Sequence, residues 1–290
     1  MSTQSIELDQ IPPCVVSPRS TYLMCPPHLY DVAYIINPWM NGNLHATSRE
    51  HAVAQWHRLH DALSKIADVK LIEPQPGSPD MVFTANAGLE HNGIVVLSSF
   101  FHPERQAEEL YFRQWFQHSG YAVLEMPRTT PFEGEGDALF SLDGCYLWAG
   151  YGPRTVLESH KLLANAWKTR VISLHLIDSR FYHLDTCFAP LVNGYVMYYP
   201  AAFDAKSIAS IEAFYPTDKR IIVSEADAIR FACNAINVDR TILFNEISAE
   251  LLERLAAANF NVVPIALGEF LKAGGAAKCL VMKLSPQSQY

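Results

Sequence analysis

The chain has 290 residues, of which 49% are apolar and 18% are charged, a composition typical of a globular protein with a sizeable core. Its formal net charge of −8 argues against nucleic acid or an anionic membrane as the main partner, because both carry negative charge. The sequence contains no apolar run close to the about 18 residues that a membrane-spanning helix requires.

Residues 1–18 predict a flexible N-terminal tail, and residues 19–290 a single folded domain. The first residues contain acids and prolines where a signal peptide has a basic segment and an apolar core, so we expect a cytoplasmic protein. The cysteines are therefore expected to be thiols; they are Cys14, Cys25, Cys145, Cys187, Cys233 and Cys279. No Cys or His cluster has zinc-site spacing, and we expect neither a metal nor a cofactor.

The first predicted elements are a strand over residues 21–27 and a helix over residues 48–67. In the helix, Val53, Trp56 and Leu59 begin an apolar stripe at helical spacing. Four further helices are predicted along the chain, over residues 104–117, 154–168, 204–214 and 248–259.

Hairpin signals alternate with these helices. They are Asn92-Gly93, Asp143-Gly144, Asn193-Gly194 and, more weakly, Asp239-Arg240. Asn-Gly and Asp-Gly between apolar runs favour a type I′ turn, which needs positive φ at both central residues. Successive turns start 51, 50 and 46 residues apart, a spacing that indicates a repeated unit of hairpin, helix and further strand.

The repeat also relates five positions near the starts of the hairpins. The residues six places before the turns are Asn86, Asp137, Cys187 and Cys233, and a further 46 residues lead to Cys279. The chain ends before a fifth hairpin is complete, so the strand over residues 21–27 is expected to pair with the last strand. The sequence thus predicts a five-bladed, pseudo-symmetric α/β propeller of ββαβ units, closed by its N- and C-terminal strands, with Cys279 near the axis.

Polar residues surround these repeat positions in "PDMVFTANAG", "FEGEGDALF" and "FYHLDTCF". They include Asp80, Glu133, His183 and Asp185. A cysteine, a histidine and several carboxylates that converge suggest nucleophilic catalysis with acid–base assistance, and the carboxylates suit a cationic substrate.

Several of these residues have an alternative interpretation. Cys187 and Cys233 share the repeat position of Cys279, so each remains a candidate nucleophile. His183 is otherwise a core histidine, Asp80 a loop cap, and Glu133 a residue that satisfies a tight glycine turn. For Arg105 the alternative is a surface ion pair with a nearby glutamate.

These motifs, together with "GGAAKC", resemble the guanidino-group modifying superfamily of arginine deiminases, dimethylarginine dimethylaminohydrolases and arginine amidinotransferases. That superfamily has a five-bladed α/β propeller fold. The chain is most similar to the arginine dihydrolase domain of cyanobacteria, through "MCPPHLYDVAYIINPWMNGN", "WAGYGPRT" and "FACNAINV". The resemblance extends from about Tyr22 to Lys283.

The resemblance implies a role for each matching residue. Cys279 would be the nucleophile, His183 the general acid and then the base, and Glu133 the partner that fixes the imidazole. Asp185 would bind guanidinium nitrogens. Independently of the resemblance, Asp80 and Asp137 near the repeat positions are further carboxylates that suit a cation. The residues expected at the amino-acid end of the substrate are Asn37, Arg105 and Arg154. An arginine fork suits an α-carboxylate.

One departure bears on the reaction. Deiminases and dimethylarginine hydrolases usually carry Glu-Asp where this chain has Ala85-Asn86. An asparagine offers both donors and an acceptor, so we expect Asn86 to turn its amide and retain citrulline for a second attack. The expected products are ornithine, carbon dioxide and two ammonia molecules.

Other functions remain open. Within the superfamily they are a deiminase that stops at citrulline, a methylarginine hydrolase and an amidinotransferase. A non-catalytic alternative is a ribosome-binding factor with the propeller fold. The expected partner is a small guanidino compound such as L-arginine, and a homo-oligomer is left open.

Overall fold

Residues 19–285 are described in the computed structural model, and they form five three-stranded sheets. The tail predicted over residues 1–18 lies outside the described residues. In every sheet the middle strand runs antiparallel to one neighbour and parallel to the other. The five sheets are the blades of an α/β propeller, so the predicted fold class is confirmed.

Strands and helices are numbered here in chain order. The first strands of the blades are β3 (Gly88–His91), β6 (Ala138–Phe140), β9 (Phe188–Leu191), β12 (Ile236–Val238) and β15 (Met282–Leu284). The middle strands are β4 (Ile94–Leu97), β7 (Tyr146–Tyr151), β10 (Tyr195–Tyr198), β13 (Thr241–Phe244) and β1 (Thr21–Met24). The third strands are β5 (Ala122–Glu125), β8 (Arg170–His175), β11 (Arg220–Ile222), β14 (Asn261–Pro264) and β2 (Asp68–Leu71).

A helix joins the middle strand of each blade to its third strand, because two parallel neighbours need a crossover connection. These helices are α1 (Arg49–Ser64), α2 (Glu108–His118), α3 (Ser159–Trp167), α4 (Ala205–Phe214) and α6 (Ala249–Ala257). All five were predicted from the sequence. Two single-turn helices were not, α5 (Glu225–Ala228) and α7 (Gly268–Leu271). None of the helices formed by residues 19–285 has the length and apolar character needed to cross a bilayer.

The two ends of the described chain close the ring. Strand β1 pairs antiparallel with β15, with Thr21 opposite Leu284 and Leu23 opposite Met282. Strand β2 then pairs with the other side of β1 and completes the fifth blade. The predicted closure is confirmed.

The hairpin turns follow the prediction at two of the three strong signals. Asn92-Gly93 and Asn193-Gly194 have positive φ at both residues. At Asp143-Gly144 only the glycine does, so the type I′ turn predicted there is wrong. Strands β6 and β7 are joined by five residues instead, and the Asp143 carboxylate accepts hydrogen bonds from Ser141 Oγ and from the backbone N–H of Cys145.

The repeat positions precede the first strands and lie at one end of the axis. Asn86 lies in a short 3₁₀ turn, Thr84–Ala87, and Asp137 directly follows another, Gly134–Gly136. Contacts cross between blades here: the N–H of Ala85 donates to the Cys279 carbonyl at 3.1 Å. The fold therefore brings residues that are distant in sequence close together.

Candidate active site

Cys279 lies in the turn between α7 and β15 and is buried. Within the described part of the chain, its Sγ has two polar side chains in hydrogen-bond range. Asn234 Nδ2 is 3.1 Å away and Asp185 Oδ2 is 3.5 Å away. Burial raises the pKa of the Cys279 thiol well above its ordinary value, and the Asp185 carboxylate raises it further. The thiol is therefore protonated at neutral pH and can donate its S–H to Asp185.

His183 is held by a buried carboxylate. Its Nε2 lies 2.7 Å from Glu133 Oε2, and the same oxygen accepts a 2.9 Å hydrogen bond from Arg154 Nη1. Burial alone would raise the pKa of Glu133, but Arg154 and the hydrogen bond from His183 outweigh it and hold that pKa well below its usual range. An ionised Glu133 accepts from Nε2–H, which leaves Nδ1 as the ring nitrogen with the lone pair.

The charge state of His183 follows from its surroundings. Burial lowers the pKa of the imidazole to about 4, although Glu133 acts in the opposite direction. The ring is therefore neutral at physiological pH, with the lone pair on Nδ1. Tyr182 packs beside it, with ring centroids 4.7 Å apart.

Asn86 is fixed at both ends of its amide. Its Oδ1 accepts a 2.8 Å hydrogen bond from Arg105 Nη1, and its Nδ2 donates to the Glu133 carbonyl at 3.1 Å. Turning the amide would put Nδ2 against the Arg105 donor and Oδ1 against the carbonyl. The structure therefore does not support the expectation that this amide turns; the second N–H of Nδ2 is the group left for a ligand.

Arg105 forms an ion pair, but not the surface pair that the sequence suggested. Its Nε and Nη2 donate to the two oxygens of Glu108 at 2.9 and 2.8 Å, and both side chains are buried. Arg105 Nη2 also donates to the Asp80 carbonyl. This bidentate pair fixes the guanidinium that orients Asn86.

Asp80 presents an unused acceptor. Its Oδ2 accepts from the Tyr34 hydroxyl at 3.0 Å, whereas its buried Oδ1 has no hydrogen-bond partner among residues 19–285. A buried carboxylate oxygen without a donor is costly, and a bound cation removes that cost. Asp80 lines the same small cavity as Cys279.

Asp185 is buried next to the nucleophile, with its Oδ2 3.5 Å from Cys279 Sγ. Burial raises the pKa of its carboxyl to about 7, with Lys278 acting in the opposite direction. Lys278 itself pairs with Glu135 at 2.8 Å.

Two cavities are lined by neighbouring residues of the turn that carries the nucleophile, Cys279 in the front cavity and Lys278 in the axial cavity. The front cavity has a volume of about 10 Å³, and its wall includes Cys279, Asn86, Asp80, Arg105, Arg154 and Asn37. The axial cavity at the hairpin end has a volume of about 460 Å³, and Asp185 and Lys278 lie in its wall. The front cavity holds no more than about one water molecule, so side chains must move before an amino acid can enter.

Two predicted substrate-binding residues are already engaged by the protein. Asn37 caps a short 3₁₀ helix through hydrogen bonds from the N–H groups of Trp39 and Met40. Asp137 accepts from Thr155 Oγ1 at 2.6 Å and from the Leu184 N–H at 3.1 Å. Asn37 is in the front wall, whereas neither Asp137 nor His183, whose Oδ2 and Nε2 atoms are 3.9 Å apart, lines either cavity. Their roles toward substrate stay predictions.

The glycines of "EGEGD" allow the blades to approach each other. A Cβ on Gly136 would lie 2.3 Å from Asn86 Nδ2 and 3.1 Å from His183 Nδ1. Gly134 has a positive φ, and its Cβ would lie 2.7 Å from the carbonyls of Ala85 and Gly88. Only glycine fits at these two positions.

The other candidate cysteines have different surroundings. Cys187 Sγ lies against the backbone carbonyls of His183 and Leu184, and Cys233 is buried in the wall of the axial cavity. Neither is in the front wall. Within residues 19–285 there is also no group of three acidic, His or Cys side chains arranged to hold a metal ion.

Three residues of the site were not selected from the sequence. Asn234 contacts Cys279, Glu108 holds Arg105, and the Tyr182 hydroxyl donates to the Gly274 carbonyl at 2.7 Å. Asn234 directly follows the repeat position Cys233, and Glu108, the first residue of α2, lies three residues after Arg105. Both spacings are visible in the sequence, although neither says which atom is contacted.

Comparisons with known proteins agree with this geometry. A family model described as "N,N dimethylarginine dimethylhydrolase, eukaryotic" matches residues 36–285. The chain is 57% identical to the bifunctional arginine dihydrolase/ornithine cyclodeaminase ArgZ of Synechocystis sp., over 91% of this chain and 37% of that protein. It is 37% identical to the N(G),N(G)-dimethylarginine dimethylaminohydrolase of Mycobacterium tuberculosis, over 93% of this chain and 88% of that protein.

A solved crystal structure is similar to this chain in both fold and sequence. The N-terminal domain of ArgZ, a cyanobacterial arginine dihydrolase crystallised with its substrate, has a TM-score of 0.90 and 56% identity. The match covers 91% of this chain and 97% of that one. This chain thus spans little more than a third of full-length ArgZ but nearly all of the crystallised domain. The resemblance noted from the sequence is confirmed: the chain belongs to the N,N-dimethylarginine dimethylhydrolase family, within the superfamily of guanidino-group modifying enzymes.

Proposed function

We propose that the protein is a cysteine-dependent hydrolase that converts L-arginine and two water molecules to ornithine, carbon dioxide and two ammonia molecules. The observation that carries this proposal is the fixed amide of Asn86, whose free N–H suits a ureido oxygen. Its neighbours support a cationic substrate, since Asp80 has an unpaired oxygen and Asp185 lies beside Cys279. The name and substrate complex of ArgZ, which is 57% identical, point the same way.

The substrate's amino-acid end would occupy the part of the front cavity between Arg105 and Arg154. Both guanidinium groups are buried and belong to the same wall. Each already neutralises one glutamate, Glu108 for Arg105 and Glu133 for Arg154. Their remaining N–H groups suit the α-carboxylate, while the Asp80 oxygen suits the guanidinium.

In the first half of the reaction, the thiol adds to the guanidinium carbon. The bound cation lowers the pKa of the buried thiol, and His183 Nδ1 takes the proton. The C–N bond to one terminal nitrogen then breaks, and His183 returns its proton to the departing ammonia. Water, deprotonated by His183, attacks the S-linked carbon and releases the thiol, which leaves citrulline.

The second half repeats these steps on the ureido carbon. The thiol adds, the remaining terminal nitrogen leaves as ammonia, and an S-linked thiocarbamate of ornithine forms. A second water attacks it, the thiol is released, and the carbamate breaks down to ornithine and carbon dioxide. This half requires a donor at the ureido oxygen, the role proposed for the free N–H of Asn86.

Hydrolysis of N,N-dimethylarginine is the second candidate, because the matching family model and the Mycobacterium tuberculosis relative carry that name. Asn86 argues against it, since the family usually has an acidic residue there. A deiminase and an amidinotransferase would use the same nucleophile and differ in the products. A ribosome-binding protein would have no use for the buried His183–Glu133–Arg154 chain.

Product analysis tests all of these together. The purified protein is incubated with L-arginine, and ammonia, citrulline and ornithine are quantified over time. We expect two ammonia and one ornithine per arginine, with citrulline absent at completion. One ammonia with citrulline would make it a deiminase, and release of dimethylamine from N,N-dimethylarginine would favour the second candidate. Ornithine formed only when an acceptor amine is added would indicate an amidinotransferase.

A cytoplasmic location is also proposed. All five cysteines within residues 19–285 are free thiols, including the exposed Cys145. Free thiols persist in a reducing compartment. Immunodetection in cell fractions would check this.

A further inference from the structure

Asn234 connects the segment before β12 with the turn that carries Cys279. Its side chain is fully buried and makes four hydrogen bonds. Oδ1 accepts from the backbone N–H groups of Ala276 and Cys279 at 3.1 and 3.0 Å. Nδ2 donates to the Asp185 carbonyl at 3.2 Å and to Cys279 Sγ at 3.1 Å.

These four bonds use the whole capacity of the amide, which has two N–H donors and two acceptor lone pairs. If the amide turned over, Nδ2 would face two backbone N–H donors, and Oδ1 would face the Asp185 carbonyl. The backbone of the cysteine turn thus fixes which atom of Asn234 points at the sulfur. A donor is always presented to Sγ.

The Asn234 donor favours the thiolate, whereas burial and the Asp185 carboxylate favour the protonated thiol. The charged and titratable groups around Cys279 are Asp185, Lys278, Tyr182 with the adjacent His183 and, from the front wall, Asp80, Arg105 and Arg154. Asp185, at 3.5 Å, is an acceptor for the protonated thiol and repels the thiolate. The Asn234 N–H does the reverse, because a hydrogen bond to sulfur becomes stronger once the sulfur carries charge.

We propose that Asn234 is a positioning residue that holds the sulfur of Cys279 in place and stabilises the thiolate when the substrate is attacked. This deepens the proposed function and rests on it. The amide thus has two separate tasks on its two atoms: Oδ1 shapes the cysteine turn, and Nδ2 prepares the nucleophile.

Asn234→Asp separates these tasks. The new carboxylate still accepts from the N–H groups of Ala276 and Cys279, but it has no N–H for the sulfur. Asn245→Asp is a matched control, because Asn245 is also buried and ties two backbone segments. Its Oδ1 accepts from the Leu267 N–H and its Nδ2 donates to the Arg230 carbonyl, remote from Cys279.

The measurement is the rate of Cys279 alkylation by iodoacetamide between pH 7 and pH 9, followed by mass spectrometry of the peptide that carries Cys279. No substrate is needed, so the result is independent of whether the protein acts on arginine. Loss of a hydrogen bond to a charged group typically shifts the pKa of that group by about one to two units. We therefore expect alkylation of Asn234→Asp to be about 10- to 100-fold slower than that of the native protein. Asn245→Asp should be alkylated at the native rate.

Turnover gives a second readout. Asn234→Asp should lower kcat with little change in KM, and its activity should recover as the pH rises. Asn234→Ala removes the donor without adding charge and should show a smaller loss in the same direction; its alkylation rate tests the proposal if Asn234→Asp does not fold.

Alkylation within twofold of native in the folded variants would overturn the proposal, because Asn234 would then only tie the backbone. Unfolding of both Asn234 variants, seen by circular dichroism, would overturn it too, since the amide would be a requirement of the fold. A native protein that does not hydrolyse arginine, with alkylation still slowed in Asn234→Asp, would reject the proposed function alone.

Discussion

Glu133 Oε2 accepts a 2.7 Å hydrogen bond from His183 Nε2 in a site where neither side chain is exposed to solvent. The bond decides which ring nitrogen is free for chemistry, because the proton stays on Nε2. Arg154 holds the same oxygen and keeps Glu133 ionised. One buried cation thereby fixes the tautomer of the histidine through the carboxylate between them.

His183→Ala tests the acid–base role. Removal of the imidazole eliminates both protonation of the leaving ammonia and activation of water, so turnover should fall by about 10²- to 10⁴-fold. Steady-state ammonia release gives the rate, and alkylation of Cys279 serves as the control for an intact thiol. A loss below tenfold would mean that the histidine is structural.

Cys279→Ser should abolish turnover, whereas Cys187→Ser and Cys233→Ser should retain most of it. Cys279 alone among the three lines the front cavity. A hydroxyl is a far weaker nucleophile than a thiol, and it would have to be activated in the same buried site. Mass spectrometry of a quenched native reaction should find an amidino adduct on the Cys279 peptide. Full activity of Cys279→Ser would exclude the covalent route.

Much of the architecture is readable from the sequence because it depends on local signals. Turn residues such as Asn92-Gly93 and the spacing of the helices locate four blades. The repeat position then leads to Cys279 without any structure. The Asp143-Gly144 turn was misjudged because its strands lie five residues apart, and strand ends are not visible in the sequence.

The site was less predictable than the fold because its contacts join distant segments. From the sequence, a surface ion pair with a glutamate was only the alternative for Arg105, and nothing indicated that the pair is buried and orients Asn86. Asn234 was missed because its significance depends on a 3.1 Å contact to a residue 45 positions away. Side-chain direction around a propeller axis depends on the whole ring, so no local pattern encodes it.

Gly136→Ala should inactivate the protein while leaving it folded. The new Cβ would lie 2.3 Å from Asn86 Nδ2 and 3.1 Å from His183 Nδ1, so both side chains must shift. Overpacking of this kind typically costs about 1–3 kcal/mol of stability. Gly268→Ala is the control, because its nearest neighbour is 3.9 Å away. Thermal unfolding and ammonia release are measured on both, and unchanged activity in Gly136→Ala would show that the site tolerates displacement.

His160 provides a prediction about pH and stability. It is buried between Ser173 Oγ and the Gly150 carbonyl, and burial lowers its pKa from 6.5 to about 4. The unfolded chain therefore binds a proton between pH 6.5 and 4 that the folded protein does not. The contribution of neutral His160 to the free energy of unfolding is complete above pH 6.5. It is lost as the pH falls toward 4, by up to about 3 kcal/mol.

His160→Gln removes this titration, so its free energy of unfolding should depend less on pH than that of the native protein. Urea unfolding at pH 7.0, 5.5 and 4.5 gives both curves. His183 contributes with the same sign and Asp185 with the opposite sign, but both are unchanged in the variant and cancel in the comparison. Parallel curves would contradict the assignment of a neutral, buried His160.

Asn86→Asp should turn a two-step hydrolase into one that releases citrulline. The carboxylate can still accept from Arg105 and can bind a guanidinium through charge-assisted hydrogen bonds. It has no N–H for a ureido oxygen, and such a mismatch costs about 1–3 kcal/mol. Each 1.4 kcal/mol is about tenfold in partitioning, so citrulline should leave before the second attack.

Ammonia released per arginine should therefore fall from two toward one, while arginine is still consumed. Citrulline supplied as a substrate provides the control: the native protein should convert it to ornithine, and Asn86→Asp should not. The variant also loses the hydrogen bond to the Glu133 carbonyl, so its thermal unfolding is measured alongside and should decrease modestly. Ornithine with two ammonia from a folded Asn86→Asp would show that the amide N–H is not what retains citrulline.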